Sequence, residues 1–323
     1  SLENNTTGEY NVAIGNYALK SNISNNASVA IGYEALFNST AQFCTAVGYE
    51  AARLSIGDTN QYVTAFGAQA LRQNTTGSSN QAFGSTALRD NTTGDRNTAV
   101  GNGALMENTT GSDNSAIGQH ALRRNTGDYN IAFGNQALDH NTSGNYNVGL
   151  GYEALTANTT GSSNVAVGRR ALYKATTGTN NIGVGSQAMY ENTTGNSNTA
   201  VGIQALMNGS TASYNSAFGL GALFKTTGNN NTGIGYLALK ENTSGTENVA
   251  IGAYAADAGS NISNTVAIGY NALTNTTNNH NTACGSKALE DTTSGSSNVA
   301  VGSLALTDNI TGTSNVAVGM SAL

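Results

Sequence analysis

An all-β fold, a parallel β-solenoid (β-roll or β-helix) of about 19 coils, is predicted by three observations. A motif returns about every 17 residues along the whole chain, each offset from it holds one residue type, and glycine is abundant while proline is absent. Repetition at a fixed short period marks stacked supersecondary units. The array runs without a break, so residues 1–323 are expected to form one continuous domain.

The anchor of the repeat is Ala-(Val/Ile/Phe)-Gly, followed two residues later by Ala-Leu. Its glycine recurs 19 times from Gly15 to Gly319, with thirteen intervals of 17 residues, four of 16 and one of 19. Before Gly134 the usual Asn-Thr-Thr-Gly shortens to Asn125-Thr126-Gly127, and the longest interval carries its extra residues near Ser55 to Gln61. Length changes thus fall in the polar segment and spare the apolar ones, as loops tolerate and paired strands do not.

The repeat Asn91–Glu107 shows how the elements of one coil arise. Asn91-Thr92-Thr93-Gly94-Asp95-Arg96 has turn chemistry: Asn and Thr side chains bond local backbone, and glycine accepts positive φ. Asn97-Thr98-Ala99-Val100-Gly101 reads as a short strand. Ala104-Leu105 is expected in a second short strand or a bend, because each apolar run is too short and too punctuated by Gly and Asn for a helix.

Columns then follow from stacking. The residue before the anchor glycine is large and apolar, the one before that is Ala or Gly only, and Leu stands four residues after the glycine with Met189, Ala52 and Ala256 as exceptions. Four residues before the glycine, Asn appears in 15 of 19 copies, and Ser28, Cys44, Val63 and Thr265 replace it. Coils about 4.8 Å apart place each residue over its equivalent. The predicted core is therefore Ile14, Val47, Phe66, Phe83, Val100, Ile117, Phe133 and Val167, with Leu88, Leu105 and Leu122. An Asn ladder is expected through Asn80, Asn97, Asn114, Asn130, Asn147, Asn164, Asn181 and Asn198. Side chains alternate across a strand, so the small Ala and Gly columns should face outward and suit close approach by another chain.

Composition narrows function. Charged residues make up 10% of the chain, its net charge is -6, and it has no basic block, which argues against nucleic-acid binding. No run approaches the roughly 18 apolar residues of a membrane span, so membrane insertion is not expected. Cys44 and Cys284 are too distant in an extended solenoid to pair. Leu2 and Leu323 share one phase of the repeat, and neither end shows a recognisable cap. Open strand edges of that kind invite head-to-tail stacking into a filament.

The Asn-x-Ala-Val/Ile-Gly-x-x-Ala pattern resembles the repeats of trimeric autotransporter adhesin heads. The longer unit, as in Asn158-Thr-Thr-Gly-Ser-Ser-Asn-Val-Ala-Val-Gly168, is similar to repeats of phage tail-fibre-like and bacterial surface proteins. The resemblance covers essentially the whole chain. It implies a left-handed coil, three-chain assembly and an extracellular place on a cell surface or virion.

Catalytic, cofactor-binding and metal-binding residues are not expected. His120, His140 and His280 stand singly in different repeats, and Gly101-Asn102-Gly103 lacks a following phosphate-binding helix. Asp95, Asp113 and Asp128 recur only in some loops. The sequons at Asn74, Asn91, Asn108, Asn141, Asn158, Asn192 and Asn242 are explained by turn formation. Tyr33, Tyr49, Tyr152, Tyr236 and Tyr270 directly follow an anchor glycine, where packing beside the turn or sugar contact are the two uses.

The expected role is a non-catalytic structural subunit of an extracellular fibre or filament, partnered by copies of itself. The alternatives are the shaft of a trimeric adhesin or tail fibre, reaching host-surface glycans or other cells through a tip elsewhere, and an ice-binding surface built on the Thr columns.

Overall fold

The computed structural model describes residues 1–56 and 62–323. Each described coil contributes one three-residue strand and a run of turns, and no helix occurs among the described residues. The chain divides into two compact units, Ser1–Ser163 and Asn164–Leu323. The first holds β1 (Val12–Ile14) to β9 (Val148–Leu150), the second β10 (Val165–Val167) to β19 (Val316–Val318). Within each unit, consecutive strands pair in parallel and in full register, so each unit is a parallel β-solenoid. Thr98, Ala99 and Val100 of β6 (Thr98–Val100) face Ser115, Ala116 and Ile117 of β7 (Ser115–Ile117), for example. The extra residues expected near Ser55 to Gln61 lie largely outside the described residues.

Register is held because backbone bonds run from coil to coil outside the strands too. Leu105 N–H donates to Ala121 O at 3.0 Å and Glu107 N–H to Arg123 O at 2.8 Å. The Ala-Leu segment is a turn and not a second strand: Ala104 N–H donates back to Gly101 O at 3.3 Å, and Leu105 adopts φ 50°. Left-handed backbone disfavours residues with a Cβ, yet Arg96 (φ 54°) and Leu105 both adopt it within one coil. Inter-coil bonds and burial of the leucine offset that cost. The anchor glycine has no such choice. Gly101 has φ 132°, and a Cβ on it would come within 2.6 Å of Gly118 O in the next coil.

The core corrects one expectation. Ile14, Phe66, Phe83, Val100, Ile117 and Phe133 are exposed, and Val47 and Val167 half-buried. The strand alanines point inward instead: Ala82, Ala99 and Ala116 are fully buried, together with Leu88, Leu105 and Leu122. The cause is volume. Each turn folds its leucine into the narrow coil interior, and that leucine leaves room across from it for no more than a methyl group. Where the column has glycine, a Cβ on Gly149 would lie 3.3 Å from Leu138 Cδ1, and one on Gly183 would lie 3.4 Å from Leu172 Cγ. A valine or phenylalanine there has no space.

The remaining interior is polar and paired. Asn80, Asn97, Asn114, Asn130 and Asn147 in the first unit, and Asn164, Asn181 and Asn198 in the second, are all buried. Asn97 Oδ1 accepts from Asn114 N–H at 3.0 Å, and Asn97 Nδ2 donates to Gly111 O at 2.8 Å. The second unit repeats this, with Asn198 N–H donating to Asn181 Oδ1 at 3.0 Å. A second ladder was not foreseen. The Asn that opens Asn-Thr-Thr-Gly is also buried, and Asn91 Nδ2 donates to Asn74 Oδ1 at 2.7 Å and to Gly94 O at 3.0 Å. One coil shows how the ladder is replaced: Gly259 stands at the asparagine position, and the side chain of buried Ile262 fills the space, 2.9 Å from where a Cβ on Gly259 would be.

Candidate functional site

Because alanine and leucine fill the inside, the residues on either side of each central strand Ala or Gly form the outer face. These two columns are Val148 and Leu150 in β9, or Val165 and Val167 in β10. Across the 19 strands none of their side chains is charged. Valine, isoleucine, phenylalanine and threonine dominate, as suits a pleated surface. Ile117 is 43% and Phe133 44% exposed, and Phe66 and Phe83 stack with centroids 5.5 Å apart. The main chain beneath them spends its hydrogen bonds between coils, so this face offers only side-chain surface.

Loop groups, by contrast, are occupied within the fold. Thr92 Oγ1 donates to Thr109 O at 2.8 Å, and Thr193 Oγ1 to Ser210 O at 2.8 Å. Asp95 Oδ1 accepts from Ser78 N–H and Asp128 Oδ1 from Ser112 N–H, both at 2.7 Å. Asp113 is paired with Arg96 at 2.7 Å, and the guanidinium holds its carboxyl below the usual aspartate range. Arg53 does the same to Glu34. The loop aspartates therefore serve inter-coil bonding. No cluster of three or more His, Cys, Asp or Glu suited to a metal ion occurs among the described residues.

The other singled-out residues fall into place one by one. His140 Nδ1 lies 3.4 Å from Asp139 Oδ2, and the His120 ring lies over Gly103. The sequon asparagines Asn74, Asn91, Asn108, Asn141, Asn158, Asn192 and Asn242 are fully buried in the fold. Tyr33, Tyr49, Tyr152, Tyr236 and Tyr270 are 41–51% exposed. Cys44 and Cys284 are both free thiols; Cys44 is buried and Cys284 stands in the outer column. Burial pushes the Cys44 thiol up to about 11.

The outer face was missed at the sequence level because alternation allows either side of a strand to be the inside. A usable signal was present: a column restricted to Ala and Gly is the one under steric limit, whereas the column that accepts Val, Leu, Ile and Phe is not.

Fold and surface together define a β-solenoid repeat protein whose two units each carry an apolar strand face. No protein-family model matches the chain, and neither the curated proteins nor the solved structures contain a significant match. No helix among the described residues is long and apolar enough to cross a membrane.

Proposed function

We propose that this chain is a non-catalytic structural subunit that associates side by side with further copies of itself through its outer strand face. The observation that carries this reading is the charge-free column of Val, Ile and Phe that stands exposed along each unit. In a nine-strand unit the face is roughly 40 Å by 10 Å, the size at which an exposed apolar patch marks an interaction site. Depletion of charge at the centre of a patch is likewise a property of interfaces.

A second copy is the occupant whose chemistry fits best. The face is ribbed at the inter-coil spacing, and another solenoid of the same pitch meets every rib with a rib of its own. Lateral packing of such units produces a fibre or a shaft, and the adhesin-like and tail-fibre-like repeat pattern points to the outside of a cell or virion as its setting.

Sedimentation velocity tests this directly. Wild-type protein is expected at an integral multiple of the 32.8 kDa chain mass. Replacing the exposed Val100, Ile117 and Phe133 by lysine should return it to monomer with its β circular dichroism intact. A wild-type monomer at tens of micromolar, or an unchanged oligomer in the triple variant, overturns the reading.

A further inference from the structure

Two places in the fold set aromatic rings at right angles on equivalent repeat positions. In the first unit, Tyr17 meets Tyr33 at 6.2 Å and 73°, and Phe37 at 6.2 Å and 86°. A cation belongs to this cluster: Lys20 Nζ lies 4.7 Å from the Tyr17 ring centre and 5.9 Å from that of Phe37.

The second unit repeats the arrangement with the charge reversed. Tyr254 meets Tyr270 at 6.2 Å and 84°, and Tyr236 at 5.1 Å and 89°. Tyr254 stands two residues after Gly252, as Tyr17 does after Gly15, and Tyr270 directly follows Gly269, as Tyr33 follows Gly32. Five residues after the anchor glycine, where the first coil has Lys20, this coil has Asp257. Asp257 Oδ1 is turned away from solvent, and the residue is half-buried. Burial raises the pKa of the carboxylate, against the backbone amides of Ala258 and Asp257, which lower it. Lys240, in the preceding coil, pairs with Glu241 at 3.3 Å and also bears on the Asp257 carboxylate from a distance. Tyr254, Asp257, Tyr270, Asn271 and Thr274 line a cleft of about 290 Å³.

We propose that this cleft binds a small organic ammonium ion, which sits against the Tyr254 and Tyr270 rings and the Asp257 carboxylate, in the role that Lys20 plays for Tyr17. Ring faces attract a cation through their quadrupole, and a desolvated carboxylate adds the opposite charge. The perpendicular rings favour a compact cation over a flat sugar, which needs an open ring face. The other tyrosine pairs are stacked nearly parallel, as at Tyr129–Tyr146 (2°) and Tyr173–Tyr190 (10°), and form no such corner.

The test uses the full chain in its native assembly state, with choline as probe and 3,3-dimethylbutan-1-ol as its uncharged isostere. Saturation-transfer NMR on the methyl protons should show saturable choline binding, at least about tenfold tighter than the isostere. Asp257→Asn should weaken choline binding at least about tenfold. Asp257→Lys, which recreates the first-coil arrangement, should abolish binding and keep the melting temperature. Three results overturn the proposal: no saturable binding up to about 100 mM choline, equal binding of the isostere, or undiminished binding by Asp257→Asn. If Asp257→Lys does not fold, the Asn variant and the isostere still decide.

Discussion

Leu138 and Gly149 touch across neighbouring coils: a Cβ added to Gly149 would stand 3.3 Å from both Cγ and Cδ1 of the leucine. This contact, repeated from coil to coil as Leu against Ala, is the core of the protein. Leu138→Ala is expected to cost about 2–5 kcal/mol by leaving a cavity. Gly149→Val should cost about 1–3 kcal/mol by overpacking. Gly149→Ala should be near neutral, since alanine holds 16 of the 19 equivalent positions. Urea unfolding followed by circular dichroism ranks the three.

The anchor glycine is the position least open to change. Gly101→Ala combines φ 132° with a Cβ 2.6 Å from Gly118 O. A loss of roughly 3 kcal/mol or more is expected. Hydrogen exchange should show it locally, as lost protection of the amides from Gly84 to Gly118, while coils further away keep theirs.

Asn97→Ala removes an acceptor and a donor together. It leaves the buried Asn114 N–H without its acceptor, while Gly111 O keeps the Asn108 Nδ2 donor at 2.9 Å. The orphaned amide costs about 1–3 kcal/mol, so the substitution should destabilise more than Thr98→Ala on the outer side of the same coil. Paired thermal melts make the comparison.

The two cysteines report on inside and outside. With its thiol buried and its pKa pushed to about 11, Cys44 should resist alkylation at pH 8 in the folded protein. Cys284 lies in the outer column and should react quickly in a monomeric variant such as the triple lysine substitution. In the native oligomer it should be protected. Equal reactivity of Cys284 in both states would speak against that face as the interface.

Acid should act late. Arg53 beside Glu34 and Arg96 beside Asp113 hold these carboxyls below their usual range. A carboxyl with a depressed folded pKa stabilises fully above its unfolded value and loses that contribution as pH falls through the folded one. The urea midpoint should therefore stay level from neutral pH to about pH 4 and drop below it. Arg96→Met should make the drop shallower, by a small amount because the pair is partly exposed. Asp257 has the opposite sign: its folded pKa is raised, so its ionised form weakens the fold above that pKa. Asp257→Asn should hold or raise the melting temperature at pH 7.

The ammonium cleft was not legible in one dimension. Tyr254, Asp257 and Tyr270 belong to two coils and to three different offsets from the anchor glycine. Only the stacking brings them to one corner, and only the Tyr17–Lys20 cluster shows what such a corner holds. The buried role of Asn91 and its equivalents was nearer the surface of the sequence, since Asn recurs there in 11 of 19 coils, but turn chemistry explained it equally well.

The period, the parallel stacking, the strand around each anchor and the ladder through Asn97 and Asn114 could be read from the chain alone. Those follow from spacing and residue type, which stacking copies from one coil to the next. The tertiary structure alone decided which side of each strand is the inside. Alternation is symmetric until a third element claims the interior. Here Leu105, carried inward by a turn at φ 50°, takes that space and leaves Ala99 within and Val100 without.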